Sequence, residues 1–133
     1  MEKLPALAPW PREIFAITLF TEDLPACREF YRSIFGLPLV FEDGNSAVFK
    51  IGVTLVNLLK TAAVPELIEP ASMANPAAGA RAVYTLHVDD VDALCADLTA
   101  RGLALLNGPM DRPWGIRTAS FADPAGNIWE IAR

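Results

Sequence analysis

The sequence predicts an α+β fold made of two βαβββ units laid end to end. Two observations carry that reading. The first is a repeat: Thr18-Leu19-Phe20-Thr21-Glu22-Asp23-Leu24 is echoed by Thr85-Leu86-His87-Val88-Asp89-Asp90-Val91. The second is the shared pattern downstream of each copy. Both copies run into a helical pattern closed by a glycine, Gly36 in one and Gly102 in the other, and then into three strand-like runs split by turn signals. Two copies of one unit commonly pack about a pseudo-two-fold axis and build a site between them.

Residues 1–12 carry Pro5, Pro9 and Pro11 and read as an extended arm, with Trp10 as its packing contact. Ile14–Thr21 reads as a strand with Ile17, Leu19 and Thr21 on one face and Ala16, Thr18 and Phe20 on the other. Asp23 is placed to cap a helix, and Pro25 falls in its first turn, where a missing N–H leaves nothing unbonded. Leu24, Cys27, Tyr31 and Ile34 then form an amphipathic stripe, and Gly36 ends the helix. Strands are predicted at about 38–42, 46–51 and 53–59, with Asp43-Gly44-Asn45 and Gly52 as the turns. Residues 61–80 are rich in Ala and Pro and read as a linker with a helical turn.

The second unit repeats the plan. Ala82–Val88 reads as a strand, Asp90 as the helix cap, and Val91, Leu94 and Leu98 as the apolar stripe. Strands are predicted at about 103–107, 115–122 and 127–132, with a turn at Asp123-Pro124-Ala125-Gly126-Asn127. The first module thus spans about 13–60 and the second about 81–132, within a single 1–133 domain.

Composition narrows the function. Hydrophobic residues make up 53 % of the 133, and the mean hydropathy of +0.30 is high for a globular chain. That implies apolar surface beyond the core, in a ligand cleft, a dimer interface or both. A net charge of −5 argues against a nucleic-acid partner. The start of the chain lacks a signal-peptide pattern and no run is long enough to span a membrane, so a cytoplasmic location is expected. Cys27 and Cys95 lie in the two helical segments and read as buried free thiols. One His and two separated Cys do not make a zinc site of imidazoles and thiolates within one chain.

The residues 23–31 (Asp-Leu-Pro-Ala-Cys-Arg-Glu-Phe-Tyr) ahead of Gly36-Leu37 resemble the first-module signature of the vicinal oxygen chelate superfamily, the group of glyoxalase I, bleomycin-resistance proteins and extradiol dioxygenases. Val88-Asp89-Asp90-Val91-Asp92 with Arg101-Gly102 resembles the second module. Pro113-Trp114-Gly115-Ile116-Arg117, then Phe121 to Glu130, resembles the C-terminal signature. The resemblance covers roughly residues 13–132. It implies two βαβββ modules whose curved mixed sheets enclose a U-shaped cleft, and homodimers in many members. It leaves function open, because the fold hosts isomerases, dioxygenases, thiol transferases and metal-free drug binders.

Metal-dependent members of that superfamily place ligands at four matched positions, which fall here on Ala16, Asn57, Val83 and Glu130. Ala and Val bring no donor atom, and a transition metal generally needs three or four. No catalytic metal and no cofactor are therefore expected. Alternation then puts Thr18, Phe20, Thr85 and His87 on the concave face with Asn57 and Glu130, an apolar lining with sparse polar groups. His87, the single His, is a candidate base with Glu130, or a structural or rim residue. Trp114 reads as a loop aromatic or a stacking wall. Arg117 reads as the partner of Glu130 or of an anionic ligand group. Phe49 can face either way. The expected ligand contacts are thus Phe20, Phe49, Asn57, His87, Trp114, Arg117 and Glu130.

The resemblance lies nearest the metal-free bleomycin-resistance-like members. The implied function is sequestration of an apolar or aromatic small molecule, as in antibiotic resistance, by a metal-independent homodimer. The alternative is a lyase, isomerase or dioxygenase-like enzyme of the same superfamily using Glu130 with or without a metal.

Overall fold

The computed structural model describes residues 9–133. Strand β1 (Ala16–Thr21) leads into helix α1 (Leu24–Ser33), followed by β2 (Leu39–Glu42), β3 (Ser46–Ile51) and β4 (Thr54–Lys60). The second unit is β5 (Val83–His87), α3 (Val91–Ala100), β6 (Asn107–Asp111), β7 (Arg117–Ala122) and β8 (Ile128–Ala132). Between them lies a connector with one short helix, α2 (Val64–Ile68), flanked by turns at Thr61–Ala63 and Pro76–Ala78. The first sheet has the order β1-β4-β3-β2 and the second β5-β8-β7-β6, so each is the same mixed four-stranded plan. In each, the first strand pairs parallel with the last and the other pairs are antiparallel.

Both helix starts follow from their capping residues. The Asp23 side chain accepts a hydrogen bond from the Ala26 amide at 3.1 Å, and Asp90 accepts one from Ala93 at 2.9 Å. Gly36 and Gly102 follow with φ of +64° and +90°, left-handed backbone that an L side chain resists. The first hairpin is set by Asp43, whose Oδ1 accepts from the amides of Asn45 and Ser46 and from the Ser46 hydroxyl.

The core belongs to both units at once. Leu24, Cys27 and Tyr31 of α1, Val91, Cys95 and Leu98 of α3, and the inward faces of the two sheets form one cluster. Phe35 bridges them, with its ring centroid 5.1 Å from that of Trp129 and 5.7 Å from that of Phe121. Tyr31 ties the two units together with directed bonds. Its hydroxyl donates to Asp123 Oδ2 at 2.7 Å and accepts from the Trp129 indole at 2.9 Å. Asp123 is buried, and the amides of Ala125 and Asn127 and the Asn127 side chain complete its shell. Arg101, at the end of α3, donates to the carbonyls of Ser33 and Ile34 at the end of α1. The two helix ends are thereby joined, and two carbonyls with no partner in their own helix are satisfied.

Three expectations need correction. The strand expected at about 103–107 is β6, at Asn107–Asp111; Leu103 and Leu105 pack against the core ahead of it without pairing as a strand. Trp10 is exposed and packs nothing down; the remainder of the arm, residues 1–8, lies outside the described residues. Phe49 is fully buried in the core beside Tyr31, so it is not a ligand contact. Its neighbours in β3 show the reason: Ala47 on the same face is fully buried, Val48 on the other is half-buried, and Phe49 joins the core cluster with Ala47. Cys27 and Cys95 are free and buried.

Candidate functional site

Each sheet turns one face to the helices and leaves the other open. On β1 the open face carries Ala16, Thr18 and Phe20, and on β4 it carries Leu55, Asn57 and Leu59, paired in that order. On β5 it carries Val83, Thr85 and His87, paired with Ile128, Glu130 and Ala132 of β8. The middle rung of each sheet is chemically matched. In the first, the Asn57 amide donates to Thr18 Oγ1 at 3.4 Å; in the second, the Thr85 hydroxyl donates to Glu130 Oε1 at 2.9 Å. The repeat thus puts a Thr–Asn pair and a Thr–Glu pair at equivalent places. The first pair is half-buried, and Thr85 of the second is exposed.

The four positions at which the resemblance implies metal ligands do not form a ligand set here. Ala16 and Val83 offer no donor atom, which leaves Asn57, whose Nδ2 bonds Thr18, and Glu130, whose Oε1 accepts from Thr85. Among the described residues no three His, Cys, Asp or Glu side chains gather into a metal-holding group. The donor set does not fit a divalent transition metal.

His87 lies on the same face as Glu130 but is exposed at the far end of β5, opposite Ala132. Among the described residues the two make no ion pair or hydrogen bond. Trp114 is at the tip of the β6–β7 hairpin, 68 % exposed, with the Arg112 guanidinium 6.0 Å from its ring centroid. Arg117 is a correction: it faces the helix side, not the open face. Its guanidinium donates twice to Asp92 of α3 at 2.8 Å and once to Asp111 at 3.1 Å. Those hydrogen bonds hold Asp92 below the usual carboxylate range and Arg117 above its own. Alternation explains the placement, since Arg117 shares its face with the buried Ala119 and Phe121.

Two concavities adjoin these residues. One, of about 430 Å³, lies where β1 meets the second unit, with Phe20 and Thr18 on one wall, Tyr84 and Asn127 on another, and Met73 and Arg81 of the connector above. The other, of about 300 Å³, lies on the open face of the first sheet under α2. Its wall includes Asn57, Leu59 and Ser46 from the sheet and Glu66 and Leu67 from α2. The expected contacts are therefore dispersed: Phe20 in the first hollow, Asn57 in the second, Glu130 and His87 on the open second sheet, Trp114 on a hairpin. Sequence reasoning missed Glu66 and Leu67, which lie in a connector without strand or helix periodicity. It also missed Asp92, whose pairing with Arg117 depends on how α3 crosses β7.

Comparison with known proteins places this geometry in context. Residues 13–131 match the family model described as Glyoxalase/Bleomycin resistance protein/Dioxygenase superfamily. The chain is 31 % identical over 123 residues to the uncharacterized protein YraH of Bacillus subtilis (strain 168), covering 90 % of this chain and 96 % of that one. It superposes with a TM-score of 0.81 and 26 % identity on a glyoxalase/bleomycin resistance protein/dioxygenase from Nocardioides, over 94 % of this chain and 85 % of that one. It also superposes on a lactoylglutathione lyase from Agrobacterium tumefaciens with a TM-score of 0.72 and 25 % identity, over 92 % of this chain and 93 % of the other. A glyoxalase-related enzyme from Fulvimarina pelagi gives a TM-score of 0.77 at 26 % identity, over 92 % of this chain and 88 % of that one.

Proposed function

Since the chain belongs to the glyoxalase/bleomycin resistance protein/dioxygenase superfamily, we propose that it is a metal-independent small-molecule binding protein of the bleomycin-resistance-like type. It captures an apolar or aromatic compound on the open faces of its sheets and does no chemistry on it. One observation carries this reading: two of the four ligand positions are Ala16 and Val83, which bring no donor atom, so Asn57 and Glu130 alone remain. A homodimer completes the cleft. Among the described residues, twelve large apolar side chains stand exposed on the single chain, Phe15, Phe41, Val83 and Trp114 among them. A second copy covering part of them brings the dispersed contacts together. In a cell, such capture protects a target from an antibiotic.

The test has two arms. Calorimetric titration with Zn²⁺, Ni²⁺ and Mn²⁺ gives no submicromolar binding, and a screen of aromatic and cationic drugs by Trp fluorescence and thermal shift gives saturable binding of at least one. Tight metal binding abolished by Glu130→Gln, or a screen without any saturable ligand, defeats the reading.

The second reading is a lyase, and the likeness to the lactoylglutathione lyase favours it. In it Glu130 is the proton-moving group, held in place by Thr85. Turnover of methylglyoxal–glutathione adduct that is lost in Glu130→Gln establishes that reading in place of capture.

A further inference from the structure

The open face of the second sheet carries one polar rung from edge to edge. Asn107 of β6 stands opposite Ser120 of β7, Ser120 opposite Glu130 of β8, and Glu130 opposite Thr85 of β5. The matching rung of the first sheet is Phe41, Val48, Asn57 and Thr18, apolar at β2 and β3. The repeat therefore breaks at Asn107 and Ser120, and Arg112 lies across that break. Its Nε donates to Thr118 Oγ1 at 2.8 Å and its Nη2 to Asn107 Oδ1 at 3.0 Å. Thr118 is buried and shares the open face with Ser120, two residues on. Two strands thus pin the guanidinium, and both acceptors are neutral. Arg28, Arg32, Arg101, Arg117 and Arg133 each meet a carboxylate. Arg112, half-buried in a chain of net charge −5, meets none among the described residues. Its neighbour Asp111 turns to the other side of the sheet and pairs with Arg117. An arginine has five N–H donors. Arg112 uses two, and the other three, both on Nη1 among them, have no acceptor among the described residues.

We propose that Arg112 and Trp114 form an anchoring subsite for an aromatic carboxylate. The carboxylate takes the free N–H edge of the guanidinium, and the ring lies on the exposed indole, which stands 6.0 Å from the same guanidinium. A guanidinium held by neutral oxygens keeps its whole charge for a group from outside, and its planar fork suits two carboxylate oxygens. Met110, opposite Thr118 on the same face, adds a pliable apolar edge. The charge count sets the class: one cation matches one singly charged carboxylate. A phosphate monoester carries about −1.5 to −2 and leaves surplus negative charge on a face that already holds Glu130. The Glu130 backbone is two strand spacings from that of Asn107, about 10 Å, and its Oε1 is bonded on the far side to Thr85. The inference rests on the capture reading and names the chemistry of the ligand's polar end.

The experiment titrates three probes with one ring system, 2-naphthoate, 2-naphthylmethanol and 2-naphthylmethylammonium, into the ¹⁵N-labelled protein. Naphthoate is expected to move the Arg112 Nε–H and Trp114 indole N–H signals saturably and to leave the buried Trp129 indole in place. Its affinity falls about tenfold in Arg112→Gln, the loss of roughly one charged hydrogen bond, and roughly threefold to tenfold in Trp114→Leu. Naphthylmethanol binds more weakly and is indifferent to Arg112→Gln, and the ammonium binds more weakly still. Arg112→Lys keeps the charge and loses the fork; it gives a smaller loss and stands in if amide spectra show the hairpin disturbed by Gln. Ammonium binding as tight as that of the carboxylate, or naphthoate binding indifferent to the Arg112 variants, overturns the subsite. A neutral or cationic aromatic that binds saturably where naphthoate does not leaves the capture reading standing without this subsite. Absence of every ligand overturns both.

Discussion

At the scale of single residues, Tyr31 does more than fill space. Its ring lies in the shared core, and its hydroxyl joins a buried carboxylate to a buried indole across the two units. Burial and the neighbouring Asp123 both push its phenol far above the ordinary value, so it remains a donor at any working pH. Tyr31→Phe keeps the ring but removes a bond to Asp123 and strands the Trp129 N–H. A loss of about 2–4 kcal/mol is expected in urea unfolding. Cys27 makes a second residue-level prediction. Burial pushes its thiol from 9.0 up to about 11, against a weaker downward pull from Thr21. The folded state therefore holds that proton more firmly than the unfolded chain does. The corresponding stabilisation is complete below about pH 9 and fades as pH rises toward about 11. Thermal midpoints followed over that range should fall, and Cys27→Ala should fall less steeply.

At the scale of elements, the repeat makes most of the fold legible. Asp23 and Asp90 mark both helix starts, and alternation assigns β1, β4, β5 and β8 to the right faces because each has one face more buried than the other: Leu19, Val56, Leu58, Trp129 and Ile131 are buried, and Tyr84 and Leu86 of β5 are half-buried between exposed neighbours. The strand β6 is not legible. Its sequence, Asn-Gly-Pro-Met-Asp, has the composition of a turn. It is held in the sheet by tertiary contact, where Gly108 presses against β7. A Cβ built on Gly108 runs into the Thr118 carbonyl oxygen and meets Ala119 Cα at 2.7 Å, and its φ is +82°. Both obstacles are backbone, so Gly108→Ala forces the two strands apart. A destabilisation of about 2–4 kcal/mol, read by thermal unfolding, is expected. Residue type points Arg117 and Phe49 toward the site, while strand alternation places them on the other face. The connector gives no periodic signal at all, which is why the hollow it roofs is invisible in the sequence.

At the scale of the whole molecule, the two units have no separate cores. Residues of α1, α3 and both sheets belong to one apolar cluster, and Tyr31 and Arg101 bond across it. Neither unit can open without exposing the other. Urea unfolding followed by far-ultraviolet dichroism and by the Trp129 environment should therefore give coincident single transitions. Separated midpoints would show two independently stable halves. The aromatic placement has an optical consequence. Trp129 is 1 % exposed, while Trp10 and Trp114 are 76 % and 68 % exposed. A water-soluble quencher such as acrylamide silences the two outer indoles and spares the inner one. Emission from the protected fluorophore then reports integrity of the fold, and the quenchable fraction reports what docks on the surface, so one spectrum separates the two events.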